Sequence, residues 1–128
     1  MPKKILIIDD DQTNVSLVQS RLRKLGYLVI IALDGDIGLE RVQNEAPDLI
    51  ILDVEMPRMN GYSFMLEMGR SEKLRKIPVI VLTSHEEMQP IFQLKGVKGY
   101  LVKPINFDKL LEKLIPLIGK PEAVPPAS

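Results

Sequence analysis

Leu49-Ile50-Ile51-Leu52-Asp53 decides how the rest of the chain is read. Four aliphatic residues in a row carry no polar alternation, which suits a strand covered on both faces, and such strands belong to parallel sheets. The run stops on a carboxylate, at the strand end where doubly wound sheets bind their ligands. Working outward, Ile5-Leu6-Ile7-Ile8 repeats the pattern and runs into Asp9-Asp10-Asp11. Val79-Ile80-Val81-Leu82 runs into Thr83-Ser84. Leu28-Val29-Ile30-Ile31-Ala32 is a further run, and the shorter Tyr100-Leu101-Val102 precedes Lys103-Pro104.

Between these runs the apolar spacing is helical. Val15, Val18, Leu22 and Leu25 share one face and end at Gly26, a helix terminator. A second helix is predicted over Ile37 to Glu45, stopped by Ala46-Pro47, and a third over Tyr62 to Arg70, after Asn60-Gly61. The last is predicted from Phe107 to Ile118, capped by Asn106. Phe107, Leu110, Leu111, Leu114, Leu117 and Ile118 are expected to face inward, and Pro116 to kink or shorten the helix. Pro90 falls in the fourth helical segment. A proline is tolerated in a first turn but costs about 3 kcal/mol in a helix interior, so a short helix beginning near Pro90 is predicted, with residues 84–89 as loop. The competing capping box Ser84-x-x-Glu87 would place Pro90 too deep. Strand and helix repeated five times predict an α/β fold, a doubly wound five-stranded parallel sheet with helices on both faces and a short or irregular fourth helix. The domain is expected over residues 1–118. Residues 119–128, with three prolines and no periodicity, read as a linker or tail.

A chain of 128 residues with 45% hydrophobic content fits one domain with a real core. Seventeen basic and seventeen acidic residues cancel, and no Lys/Arg run argues for nucleic-acid binding. The absence of cysteine removes disulfides, thiolate nucleophiles and sulfur-bound zinc, and a lone His85 builds no histidine cluster. The apolar start is too short for a signal-peptide core, and no segment approaches the ~20 apolar residues of a membrane span. A soluble cytoplasmic protein with no membrane partner is expected.

The strand ends bring Asp9, Asp10, Asp11, Asp53, Thr83, Ser84 and Lys103 to one edge. Carboxylates crowded in a cleft repel one another, and a hard divalent cation with oxygen ligands relieves this; magnesium suits few carboxylates and several waters. A lysine and a hydroxyl beside such a cation supply what phosphoryl transfer needs: an oxygen nucleophile and donors for the developing charge. Asp53, on a central strand, is the predicted nucleophile.

Ile7-Ile8-Asp9-Asp10-Asp11, Asp53-Val54-Glu55-Met56-Pro57-Arg58-Met59-Asn60-Gly61, Val81-Leu82-Thr83-Ser84 and Tyr100-Leu101-Val102-Lys103-Pro104 together resemble the receiver domains of bacterial response regulators. The match covers residues 3–118 in order. It implies a flavodoxin-like fold and a phosphoryl group taken onto Asp53 with Mg2+ from a sensor histidine kinase or phosphotransfer protein. It also implies metal ligation by Asp10 directly, Asp9 through water, Asp53, and the backbone carbonyl of Glu55. Lys103 would pair with the phosphoryl group, Lys103-Pro104 would be cis, and Thr83 and Tyr100 would be a switch pair moving inward together. On this reading the chain is no enzyme, catalysing only its own phosphorylation and dephosphorylation. It would be a stand-alone regulator or a receiver from a longer protein. Between Thr83 and Gly96 the chain is about two residues shorter than the family pattern. The common family dimer through helix four, strand five and helix five is therefore not expected.

Plainer readings accompany these. Asp11, followed by Gln12-Thr13-Asn14, reads first as a helix cap, and Pro57 and Gly61 as backbone geometry. Tyr100 can simply fill the core edge, and His85 reads as an exposed loop residue with some influence on water access. Asp9-x-Asp11-x-Thr13 also matches the nucleophile motif of haloacid-dehalogenase-type phosphatases, which would make Asp9 the nucleophile of a hydrolase. A phosphorylation-independent interaction module of receiver type is the remaining alternative.

Overall fold

The computed structural model describes residues 2–55 and 61–120. The loop predicted at Met56, Pro57, Met59 and Asn60, and the tail from residue 121 onward, lie outside the described residues. Five parallel strands, β1 (Lys4–Ile8), β2 (Leu28–Ala32), β3 (Leu49–Asp53), β4 (Val79–Thr83) and β5 (Gly99–Val102), lie in the order β2-β1-β3-β4-β5. Five helices alternate with them: α1 (Gln12–Leu25), α2 (Gly35–Glu45), α3 (Gly61–Gly69), α4 (Gln89–Leu94) and α5 (Phe107–Ile118).

The unbroken aliphatic runs are explained by what covers them. Successive strand residues point to opposite faces, so Ile5, Ile7, Leu49 and Ile51 pack with Val15 and Leu22 of α1 and Leu110, Leu114 and Ile118 of α5. Leu6, Ile8, Ile50 and Leu52 pack on the other side with Val42 of α2, Phe64 and Met68 of α3 and Phe92 of α4. The central strands β1, β3 and β4 are buried almost throughout. The edge strand β2 is not: Leu28 is 49% exposed.

Caps set most helix ends. Asp11 caps α1, accepting from the amides of Thr13 (3.0 Å) and Asn14 (3.3 Å), and Gly26 ends it at φ 109°. Such a left-handed φ is a conformation glycine adopts without a Cβ penalty. The second helix starts two residues before the predicted Ile37, because the Asp34 carboxylate accepts from the Ile37 amide at 2.8 Å and so caps from Gly35. The α5 boundaries are those predicted, Asn106 cap included. Pro116 does not end α5 early: it lies on the exposed side of the last turn, and the Glu112 residue four before it is exposed as well. Leu110, Leu114 and Ile118 are buried, whereas Phe107, Leu111 and Leu117 are only partly so.

The fourth helix is short, six residues from Gln89, with Pro90 in its first turn. The predicted loop over residues 84–89 needs correction, because Glu86–Met88 form a single 3₁₀ turn closed by the Met88 amide on the His85 carbonyl at 3.2 Å. Proline fixes φ within the helical range but cannot continue an i to i−4 ladder, so a tight turn feeds the helix instead.

Gly61 holds α3 against the end of β3. Its amide donates to the Val54 carbonyl at 3.2 Å, and a Cβ there would lie 2.7 Å from the Val54 Cα, a backbone atom with no room to move. Gly61→Ala should therefore lower stability by about 1–3 kcal/mol, measured as a fall in Tm, despite alanine's better helix propensity.

Candidate functional site

The parallel register delivers the predicted residues to one edge. Ile8 pairs with Leu52, Asp53 with Leu82, and Thr83 with Val102, so Asp9, Asp53, Thr83 and Lys103 emerge together from four neighbouring strands. Asp9 and Asp53 are each 2% exposed and Thr83 is fully buried, while Asp10 is exposed. Among the described residues, no buried side-chain polar atom lacks a partner.

Asp9 Oδ1 accepts from the Asp11 amide at 2.9 Å. Asp53 Oδ1 accepts from the Glu55 amide at 3.0 Å and from Lys103 Nζ at 3.2 Å. Lys103 is a cis X-Pro residue, as the family pattern implies. Burial lowers the affinity of the Lys103 amine for its proton, but the Asp53 carboxylate, and behind it Asp9 and Glu55, outweigh this and move its pKa above the ordinary value.

One carboxylate oxygen from each of Asp9, Asp10 and Asp53 lies within 4.8 Å of the others. Burial, with the Asp53 carboxylate beside it, pushes the Asp9 carboxyl up to about 6, against the Asp11 amide, which pulls it down. A buried acid held this high is one that a cation relieves, and three oxygen donors without nitrogen or sulfur suit magnesium. The implied metal therefore fits Asp9, Asp10 and Asp53. Without it, the native state keeps a proton on Asp9 that the unfolded chain has already released, so stability falls as pH rises from the ordinary carboxylate range through about 6. Magnesium binds the ionised form. Adding it should raise Tm more at about pH 7.5 than at about pH 5. An equal rise at both would show that Asp9 does not carry the effect.

The Glu55 side chain turns away from the acidic cluster. Thr83 Oγ1 donates to its Oε1 (2.9 Å), the Ser84 amide to the same oxygen (2.6 Å), and Ser84 Oγ to Oε2 (3.0 Å). Burial alone would push this carboxyl up, but the Ser84 amide, the two hydroxyls and the charge of Lys103 together hold it below the usual range. The Glu55 carboxylate is thus engaged by the end of β4, and the grouped acidic side chains are those of Asp9, Asp10 and Asp53. The sequence reading brought Thr83 and Ser84 to this edge but missed that they bind the Glu55 side chain; the signal was a hydroxyl pair ending the strand next to one that ends in an acid.

Tyr100 is already inward. Its hydroxyl donates to the His85 carbonyl and its ring centroid lies 6.3 Å from that of Phe92. The His85 ring sits at the rim, Nδ1 at 3.1 Å from Glu87 and Nε2 at 3.8 Å from Glu55. Asp11 is a cap, its carboxylate committed to the first turn of α1.

Comparison with known proteins agrees with this geometry. The chain is 35% identical over 130 residues to the alkaline phosphatase synthesis transcriptional regulatory protein PhoP of Bacillus subtilis, covering all of this chain and 53% of that protein. It spans about half the length of the curated relatives it matches first. The chemotaxis protein CheY4 of Vibrio cholerae superposes with a TM-score of 0.84 at 32% identity, over 91% of this chain and 99% of that one. The receiver domain of a sensor histidine kinase from Pseudomonas aeruginosa, solved with a magnesium ion in its active-site cleft, superposes with a TM-score of 0.83 at 28% identity, over 92% and 98%. These matches are to receiver domains and response regulators, not to phosphatases. Residues 5–115 match the model described as the response regulator receiver domain, and the chain belongs to that family.

Proposed function

We propose that Asp53 takes a phosphoryl group from the phosphohistidine of a sensor histidine kinase or phosphotransfer protein, and that the surface around Thr83 and Tyr100 carries the signal onward. The observation that carries this reading is the setting of Asp53, a buried carboxylate with Lys103 Nζ at 3.2 Å on one side and Asp9 and Asp10 on the other. An Asp53 oxygen forms the new bond to phosphorus while the donor's phosphorus–nitrogen bond breaks and its electrons return to the imidazole. Lys103 neutralises charge on the transferred oxygens, and the buried Thr83 hydroxyl offers a further donor. Asp9, Asp10, Asp53 and the Glu55 carbonyl are the groups for magnesium, which when bound offsets the negative charge gathered in the cleft.

A groove of about 600 Å3 between α1 and the start of α5, lined by Leu17, Val18, Arg21, Ile105 and Phe107, opens beside Lys103. Leu17 is 62% exposed there, and the Arg21 guanidinium lies 4.2 Å from the Phe107 ring centroid. Such a groove suits an apolar helix carrying the donor histidine to the cleft. The chain acts on no external substrate and turns over only its own phosphoryl group, in the cytoplasm where ATP-fed kinases work. The receiver unit is residues 1–118.

Intact mass after incubation with magnesium and acetyl phosphate tests this reading. Wild type should gain one phosphoryl group, and a chelator should abolish the gain. The six-residue α4 also bears on assembly. Light scattering should show no phosphorylation-dependent dimer through α4, β5 and α5; a dimer abolished by mutations on that face would overturn this.

A further inference from the structure

The contacts of Glu55 continue beyond Ser84. The His85 amide donates to Thr83 Oγ1 at 3.0 Å, the same oxygen that donates to Glu55, and the Tyr100 hydroxyl donates to the His85 carbonyl. A continuous line of hydrogen bonds thus runs from the end of β3 to the middle of β5. Its origin is fixed, because the Glu55 amide is held on Asp53 Oδ1. From that anchor the carboxylate reaches across the mouth of the cleft and takes up a hydroxyl, an amide and a second hydroxyl from the end of β4. A phosphoryl group on Asp53 would present anionic oxygens to the same side of the cleft. Donors to an anion form stronger bonds than donors to a neutral acceptor, so the charge on Glu55 matters as well as its shape.

We propose that Glu55 is a positioning residue, a resident anion that holds Thr83, Ser84 and, through His85, Tyr100 in the inward arrangement before any phosphoryl group arrives. The incoming phosphoryl group then has to displace Glu55 from these donors rather than find them free. Tyr100 is set inward by the chain itself, and its position changes little on phosphorylation as long as Glu55 is present. The functional meaning rests on the receiver reading, but the contact is testable in the resting chain.

The test uses the full chain labelled with 3-fluorotyrosine and 15N, without phosphodonor, as wild type, Glu55→Ala and Glu55→Gln; single Tyr→Phe changes assign the three fluorine signals. In Glu55→Ala the Ser84 amide proton should move upfield, and the Tyr100 fluorine should shift toward the solvent-exposed position, with Tm and the remaining spectrum kept. Glu55→Gln retains an acceptor oxygen without the charge and should fall between the two. Beryllofluoride with magnesium should return Tyr100 of Glu55→Ala to its wild-type position, a rescue that a merely structural role would not give. Wild-type signals at Ser84 and Tyr100 in both resting variants would overturn the proposal, as would a Tyr100 shift seen only with general loss of fold. If Glu55→Ala does not fold, the Glu55→Gln comparison alone decides. Beryllofluoride leaving every spectrum unmoved would count against the receiver reading instead, while the resting comparison still judges Glu55.

Discussion

Asp53→Asn gains no phosphoryl mass with acetyl phosphate and magnesium, under conditions where wild type is modified. The expected drop is several orders of magnitude, because an amide oxygen is a poor nucleophile and no other carboxylate shares the position. Asp9 is as deeply buried, but Lys103 makes its hydrogen bond to Asp53 instead, and Asp10 faces solvent. The variant should remain folded: Asn offers an oxygen to accept from the Glu55 amide and Lys103, and it removes a negative charge from beside Asp9. Modification of Asp53→Asn at the wild-type rate, on intact mass, would place the acceptor elsewhere.

Lys103→Ala has the second large effect. In the presence of magnesium it should keep its fold and its metal, yet lose the conformational response to a phosphoryl group. The side chain is the one cation within hydrogen-bonding distance of Asp53 among the described residues, and removing a preorganised donor to developing charge slows transfer by roughly 10²–10³. Without that cation nothing draws the transferred oxygens toward β5, so phosphorylation and response separate. Beryllofluoride shifts at Thr83 and Ser84 equal to wild type in this variant would contradict it.

Much of this was legible in the sequence. The aliphatic runs at Ile5, Leu49 and Val79 read as covered strands because both sheet faces are in fact covered, and Asp53 and Lys103 ended runs, where topology gathers them. The fourth helix was legible from one residue, since Pro90 permits a helix only from its own first turn. What escaped were features of distance rather than order. The cap at Asp34 competes with an apolar start at Ile37, and pattern reading favours the apolar residue. The Glu55 carboxylate meets donors 28 and 29 positions away, a contact set by strand pairing and side-chain reach that no local spacing encodes. Tyr100 looked like a residue awaiting a signal because the line that already holds it begins at that unseen contact.

β5 is an edge strand of four residues, paired among the described residues with β4 alone. Tyr100 lies on it and Lys103 follows directly from its end. Sliding or tilting a strand at the rim disturbs one ladder, whereas moving β1 or β3 would disturb two and reopen the interior. Lys103, which meets the incoming charge, is therefore carried by the most yielding plank of the sheet. Work done in the cleft is delivered sideways to the outer wall of the domain, and the hydrophobic interior stays where it is.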